Sequence, residues 1–185
     1  MPNEAPRAPA NDDDQPRPLP SPERIQELLF DAARLGRIDV IPALIQAGAD
    51  VAVMNFAGYS PLILSCYHGH ADAASVLMAH GAPVDQRDRA FGNTALMGAA
   101  FKGFGDIVEL LLANHADPEA ANQAGETALM FAALFGRTAI VDALLARGAD
   151  PYRRDAAGSS AVSIAQAQGN DVMAARLKTR ARVRG

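Results

Sequence analysis

Glycines recur in this chain at a fixed spacing, and that register limits the folds open to it more than any other feature. Gly36, Gly69, Gly103, Gly136 and Gly169 stand 33, 34, 33 and 33 residues apart. Gly58, Gly92, Gly125 and Gly158 form a second series, each eleven residues ahead of its partner in the first. A third series runs Gly48, Gly81 and Gly148, with His115 where a fourth glycine is expected. The one spacing of 34 places a single extra residue within Gln86–Phe91. A unit this short cannot enclose a core of its own, so its apolar face must be covered by the next unit in a stack.

The unit that begins at Gly125 shows how the repeat works. Glu126–Phe135 reads as a short helix with a hydroxyl residue near its start and Gly136 at its end. Ile140–Arg147 follows with apolar residues at i, i+1, i+4 and i+5, the stripe of a second helix. Gly148-Ala149-Asp150-Pro151 closes it, because glycine takes the left-handed conformation cheaply and proline prevents continuation. Tyr152–Ala157 then has to turn back as an extended, hairpin-like loop. Two helices and a loop, repeated, predict an all-α solenoid.

This pattern resembles the ankyrin repeat. Ser60-Pro61-Leu62, Thr94-Ala95-Leu96 and Thr127-Ala128-Leu129 correspond to the family's Thr-Pro-Leu-His start, and Ala99-Ala100 and Ala132-Ala133 to its paired alanines. Ile107–Leu111 and Ile140–Leu145 correspond to its second helix, and Gly48-Ala49-Asp50, Gly81-Ala82-Pro83 and Gly148-Ala149-Asp150 to its closing turn. The match runs over about residues 24–177 and predicts an ankyrin-repeat solenoid of about five units, 21–54, 55–87, 88–121, 122–154 and 155–177. The family histidine is replaced by Ile63, Met97, Met130 and Ser163, so the usual Thr–His hydrogen bond is lost. His70 falls where the family often carries a structural histidine. The first unit, with its longer helix from Pro22, and the fifth, with Gln166, Gln168 and a short basic second helix, read as end caps.

The ends differ from the stack. Residues 1–20 are rich in proline and aspartate, and so poor in apolar side chains that they read as a disordered leader. Ser21-Pro22-Glu23 should start the first helix. Residues 178–185 form a basic tail, continuing a run of cations from Arg176 to Arg184. No segment has the length of a membrane span or the apolar core of a secretory signal, which predicts the cytoplasm. The periplasm stays open if a signal has been removed. The Ala-rich, Arg-over-Lys composition resembles that of a bacterial protein from a high-GC genome.

Chemistry is not expected. Cys66, His68 and His70 are the one metal candidate, but successive two-residue steps on a helix diverge by about 200°, so the three do not converge. Ser60 is explained as a helix-start hydroxyl rather than a nucleophile. The glycines mark turns and form no phosphate-binding loop. Asp39, Asp72, Asp106 and Asp171 sit where helix N-termini favour acids. Neither an enzyme, a metal, a cofactor nor a small-molecule substrate is predicted. The tail's charges would spread around a helix, and with no aromatics among them on a chain of net charge −4 they read as a solvated end rather than a nucleic-acid site.

What the resemblance implies instead is a partner protein, bound by a monomer on the concave side formed by hairpin tips and first helices. Carried onto this sequence, those positions are Met54, Phe56, Tyr59, Tyr67 and His68 in unit two. In unit three they are Arg87, Arg89, Phe91, Asn93, Phe101 and Lys102, and in unit four Gln123, Glu126, Leu134 and Phe135. Unit five offers only polar Arg154, Ser159 and Gln168. Six of the ten Phe and Tyr residues fall in these slots, which points to a binding surface over units two to four. The competing expectation is that Phe101 and Phe135 fold back to fill gaps in the stack, with Phe104 and Phe131 in the core. An adaptor and an inhibitor or immunity-type protein would share such a face, and a stress-defence accessory role is a further family precedent.

Overall fold

The computed structural model describes residues 20–182, with side chains to Thr179; the leader at 1–19 and residues 183–185 lie outside the described residues. Ten helices are found among the described residues, in five pairs. They are α1 (Pro22–Leu35) with α2 (Ile41–Gln46), α3 (Pro61–Tyr67) with α4 (Ala71–Ala79) and α5 (Ala95–Lys102) with α6 (Gly105–Ala113). The last two pairs are α7 (Ala128–Leu134) with α8 (Thr138–Ala146) and α9 (Ala161–Ala167) with α10 (Asp171–Arg182). Each first helix packs on the first helix of the next pair, and each second helix on the next second helix, giving two parallel layers.

Each first helix starts on a hydroxyl cap. The side chains of Ser21, Ser60, Thr94, Thr127 and Ser160 accept from the backbone N–H groups of Arg24, Ile63, Met97, Met130 and Ser163. In the last unit Ser163 returns the bond to the Ser160 backbone N–H, completing a capping box where the family would have its histidine. Small residues line the inter-helix contact. Ala32, Ala33, Ala99, Ala100, Ala132 and Ala133 are all buried, and in unit two Ser65 and Cys66 fill the same two slots. Leu77, Ile107, Leu111, Leu144 and Leu177 close the layer of second helices, each burial being worth about 2–3 kcal/mol relative to exposure.

The mid-repeat glycine has a steric reason as well as a conformational one. His70, Phe104 and Arg137 reach back under the preceding unit to within 2.6, 3.1 and 2.7 Å of where a Cβ on Gly36, Gly69 and Gly103 would stand. Those glycines have φ of 68°, 84° and 86°, so both space and backbone exclude another residue. His70 also hydrogen-bonds the Arg34 carbonyl through Nε2 at 3.0 Å, tying unit two to the cap.

Two details of the ends depart from the sequence reading. The second helix of unit five is not short: α10 is twelve residues long and runs through Arg182, absorbing much of the expected tail. Met173, Ala174 and Leu177 are buried on it, and Arg176 pairs with Asp142 of α8 at 2.7 Å. Asp39 lies ahead of α2 rather than in its first turn, and forms a two-point contact with Arg37 at 2.7 and 2.8 Å. No helix among the described residues is long and apolar enough to cross a membrane.

Candidate partner-binding face

The loops between pairs are closed hairpins, each held by an Asn or Asp at its start. The side chain of Asn55 accepts from Tyr59 N–H, that of Asn122 from Ala124 and Glu126, and that of Asp155 from Ala157 and Ser159. Asp88 does the most: only 6% exposed, its carboxylate accepts from the N–H groups of Phe91, Gly92 and Asn93 at 2.7, 3.2 and 3.1 Å. These Asx closures were not read from the sequence, although an Asn or Asp at 55, 88, 122 and 155 was the available signal. The extra residue of unit three falls inside this loop, between Asp88 and Asn93. Successive hairpins are laddered by Arg89 N–H to Gly58 O, Gln123 N–H to Phe91 O and Ala156 N–H to Ala124 O.

The predicted partner residues separate into three groups. Tyr59, Tyr67, His68, Phe91, Asn93 and Phe101 come together around one groove between hairpins two and three and helices α3 and α5. Its floor is apolar, from Ile63, Leu64, Met97, Gly98 and Phe131, and its volume is about 410 Å³. Phe135 and Lys102 adjoin this group: the Phe101 and Phe135 rings meet edge to face at 5.0 Å, and the Lys102 ammonium stands 4.7 Å above the Tyr67 ring. Phe101 and Phe135 thus pack across the stack and stay 40% and 44% exposed. Phe131 is only partly buried: it packs edge to face on Phe101 at 6.2 Å and lines the groove.

The second group is engaged within the stack. Arg87 donates to the Ala121 carbonyl, Gln123 lies against Gly92, and Glu126 accepts from the Asn122 side chain at 2.8 Å. Met54, Phe56, Arg89 and Leu134 form the third, outside the groove, with Phe56 fully exposed at its hairpin tip.

Two titratable groups of α3 and its C-terminal end are shifted by their surroundings. Cys66 is wholly buried in α3, and burial pushes its thiol up to about 12. His68 is exposed while His70 sits beneath Gly36, and among the described residues no group of three His, Cys, Asp or Glu side chains is placed to hold a metal ion. Partial burial lowers the His68 pKa, and electrostatic repulsion from His70, Arg34 and Lys102 lowers it further.

Ten paired helices joined by laddered hairpins, with a groove along the first-helix side, define a helical-repeat protein. Three overlapping stretches, residues 29–122, 81–155 and 99–179, match the family model for ankyrin repeats (3 copies), and the chain belongs to that family. Among curated proteins it is 45% identical over 71 residues to a protein fem-1 homolog A-like of Mus musculus, covering 38% of this chain and 11% of that one. It is 39% identical over 83 residues to a probable E3 ubiquitin-protein ligase, XBOS33, of Oryza sativa subsp. japonica, covering 45% and 16%. A putative ankyrin repeat-containing protein of Treponema pallidum is 38% identical over 92 residues, covering 49% and 30%. The matched stretches thus span less than a third of these relatives' own length.

Proposed function

We propose that this chain is a non-catalytic interaction module that binds a partner protein across units two to four, centred on the groove between hairpins two and three. The observation that carries the reading is the clustering of half-exposed aromatics, Tyr67, Phe91, Phe101 and Phe135, beside an apolar groove on the first-helix side. Such side chains bring large burial at small entropic cost and dominate the energetics of interfaces. The family's common use as a binding scaffold, and the repeat-bearing relatives, support the same conclusion. Arg87, Gln123 and Glu126 shape the surface by holding the hairpins in register and are not its anchors.

Affinity capture from host extract with the wild-type chain, set against a Tyr67→Ala/Phe101→Ala/Phe135→Ala variant, tests the reading. A protein retained by wild type at stoichiometric level and lost by the variant, with helical content and melting cooperativity unchanged, is the expected result. Equal retention by both would place the interface elsewhere. An enzyme among the retained proteins, losing activity on stoichiometric addition of the chain, would select an inhibitor over an adaptor.

A further inference from the structure

One repeat lacks a side chain on the floor of the groove. Five residues ahead of the mid-repeat glycine, unit two has Leu64, unit four Phe131 and unit five Ile164, but unit three has Gly98. Gly98 lies within α5, away from its caps, where glycine costs about 1 kcal/mol relative to alanine. No backbone demand explains it: Gly98 is not among the residues with positive φ, and a Cβ there would meet only Tyr67, at an ordinary 3.7 Å. Leu64 and Phe131, the equivalent residues on either side, both line the groove floor beside it. The same unit carries the only inserted loop residue, and that loop supplies Asp88, Phe91 and Asn93 to the groove's other wall. Two departures from the repeat, neither needed for stacking, converge on one cavity.

The charge around the cavity has one sign. Lys102 has no carboxylate partner among the described residues, whereas Arg24, Arg34, Arg37, Arg153 and Arg176 each hold one. His68, also on the wall, stands near enough to Arg34 and Lys102 to feel their charge. The one acid on the wall, Asp88, is buried with its oxygens taken by three N–H groups.

Resting on the interaction-module reading above, we infer that the space left by Gly98 is a socket for a single large apolar side chain of an extended partner segment, with a carboxylate beside that side chain meeting Lys102 and His68. An aromatic or leucine-sized group takes the place of the absent repeat side chain and packs between Leu64 and Phe131. An acidic flank on the partner supplies the counter-charge that Lys102 lacks, and selects against basic segments.

The test selects a display library of random linear dodecapeptides on the full chain, and measures the enriched peptides against three variants. Enriched peptides should pair a Phe, Trp or Leu with adjacent Asp or Glu. Gly98→Leu, which copies unit two, should raise Tm by about 2–4 °C while weakening binding at least about tenfold. Gly98→Ala should raise Tm similarly but keep affinity within about threefold, since one methyl leaves the socket open. Lys102→Glu should weaken acidic peptides by about tenfold and leave Tm unchanged. A more stable Gly98→Leu chain that binds as well as wild type overturns the socket, as does a Gly98→Leu chain that is destabilised. Selection of basic or purely apolar peptides, or of none, overturns the acidic-segment assignment. Peptides or native partners lost by the triple alanine variant but indifferent to Gly98→Leu would spare the binding face and sink this inference alone, whereas indifference to both would remove both.

Discussion

His115 occupies a position that its three counterparts in the described units give to glycine, and replacing it should stabilise the chain. Gly48, Gly81 and Gly148 have φ of 105°, 86° and 100°, and His115 is held at 66°, the only non-glycine residue with positive φ among those described. For an L-residue the left-handed conformation costs about 1–2 kcal/mol, at the lower end for histidine, which tolerates it better than most. His115→Gly removes that strain, but frees the unfolded chain by about 0.4–1 kcal/mol. Contacts add little to the balance: the side chain is exposed and makes no hydrogen bond to a described residue, and at Gly48 and Gly81 a Cβ would touch nothing within 4 Å. The net gain is about 0.5 kcal/mol, or a Tm rise of about 1–2 °C for a chain of this size. His115→Ala keeps the strain, so it should lie at or below wild type. Urea and thermal unfolding followed by circular dichroism, on all three proteins side by side, give the order Gly above His and Ala. A glycine variant no more stable than the alanine one would show that the closing turn does not select for the left-handed conformation.

Asp88→Ala should cost about 2–3 kcal/mol by leaving three loop N–H groups without their charged acceptor, and Asp88→Asn about half of that; equal melting of both with wild type would remove Asp88 as the organiser of hairpin three. Cys66, buried with its thiol pushed up to about 12, should resist iodoacetamide in the native chain at pH 8 and react only as fast as the chain opens. Rapid alkylation without unfolding would contradict its burial. His68 is held below its ordinary 6.5, so the unfolded chain takes up this proton more readily than the folded one. The associated stability is present above pH 6.5 and is lost as pH falls through the lower, folded value. Wild type should therefore lose ground to His68→Gln between about pH 8 and pH 5, and a constant difference across that range would refute the assignment.

The repeat was legible because its markers are demanded by the backbone itself. A glycine at positive φ with a neighbour's side chain against it, or an alanine between close helices, admits few substitutes, so the register survives in a single sequence. The hairpin closures were less visible because Asn and Asp serve equally, and 55, 88, 122 and 155 alternate between them. The length of α10 was hidden by its composition: much of the cationic run that suggested a tail lies on a helix that runs through Arg182 and buries Met173, Ala174 and Leu177. The candidate groove was half legible. Aromatic type alone could find Tyr67, Phe91 and Phe101, but it could not show that Arg87, Gln123 and Glu126 are occupied in holding hairpins together.

Gly98 escaped notice for an instructive reason: in a chain ordered by glycines, one more does not stand out, and this one belongs to none of the three series. In a stack, each position answers first to its neighbours above and below. Units two, four and five hold the apolar Leu64, Phe131 and Ile164 at that position, and the first cap an exposed Asp31. A glycine in its place gives up helix propensity and apolar burial together, and the adjoining hairpin adds a residue that leaves Phe91 65% exposed. Losses of this kind persist where something outside the chain repays them, and both fall on the walls of one groove. The regular units thus explain the fold, and the single irregular unit is where a partner is to be sought.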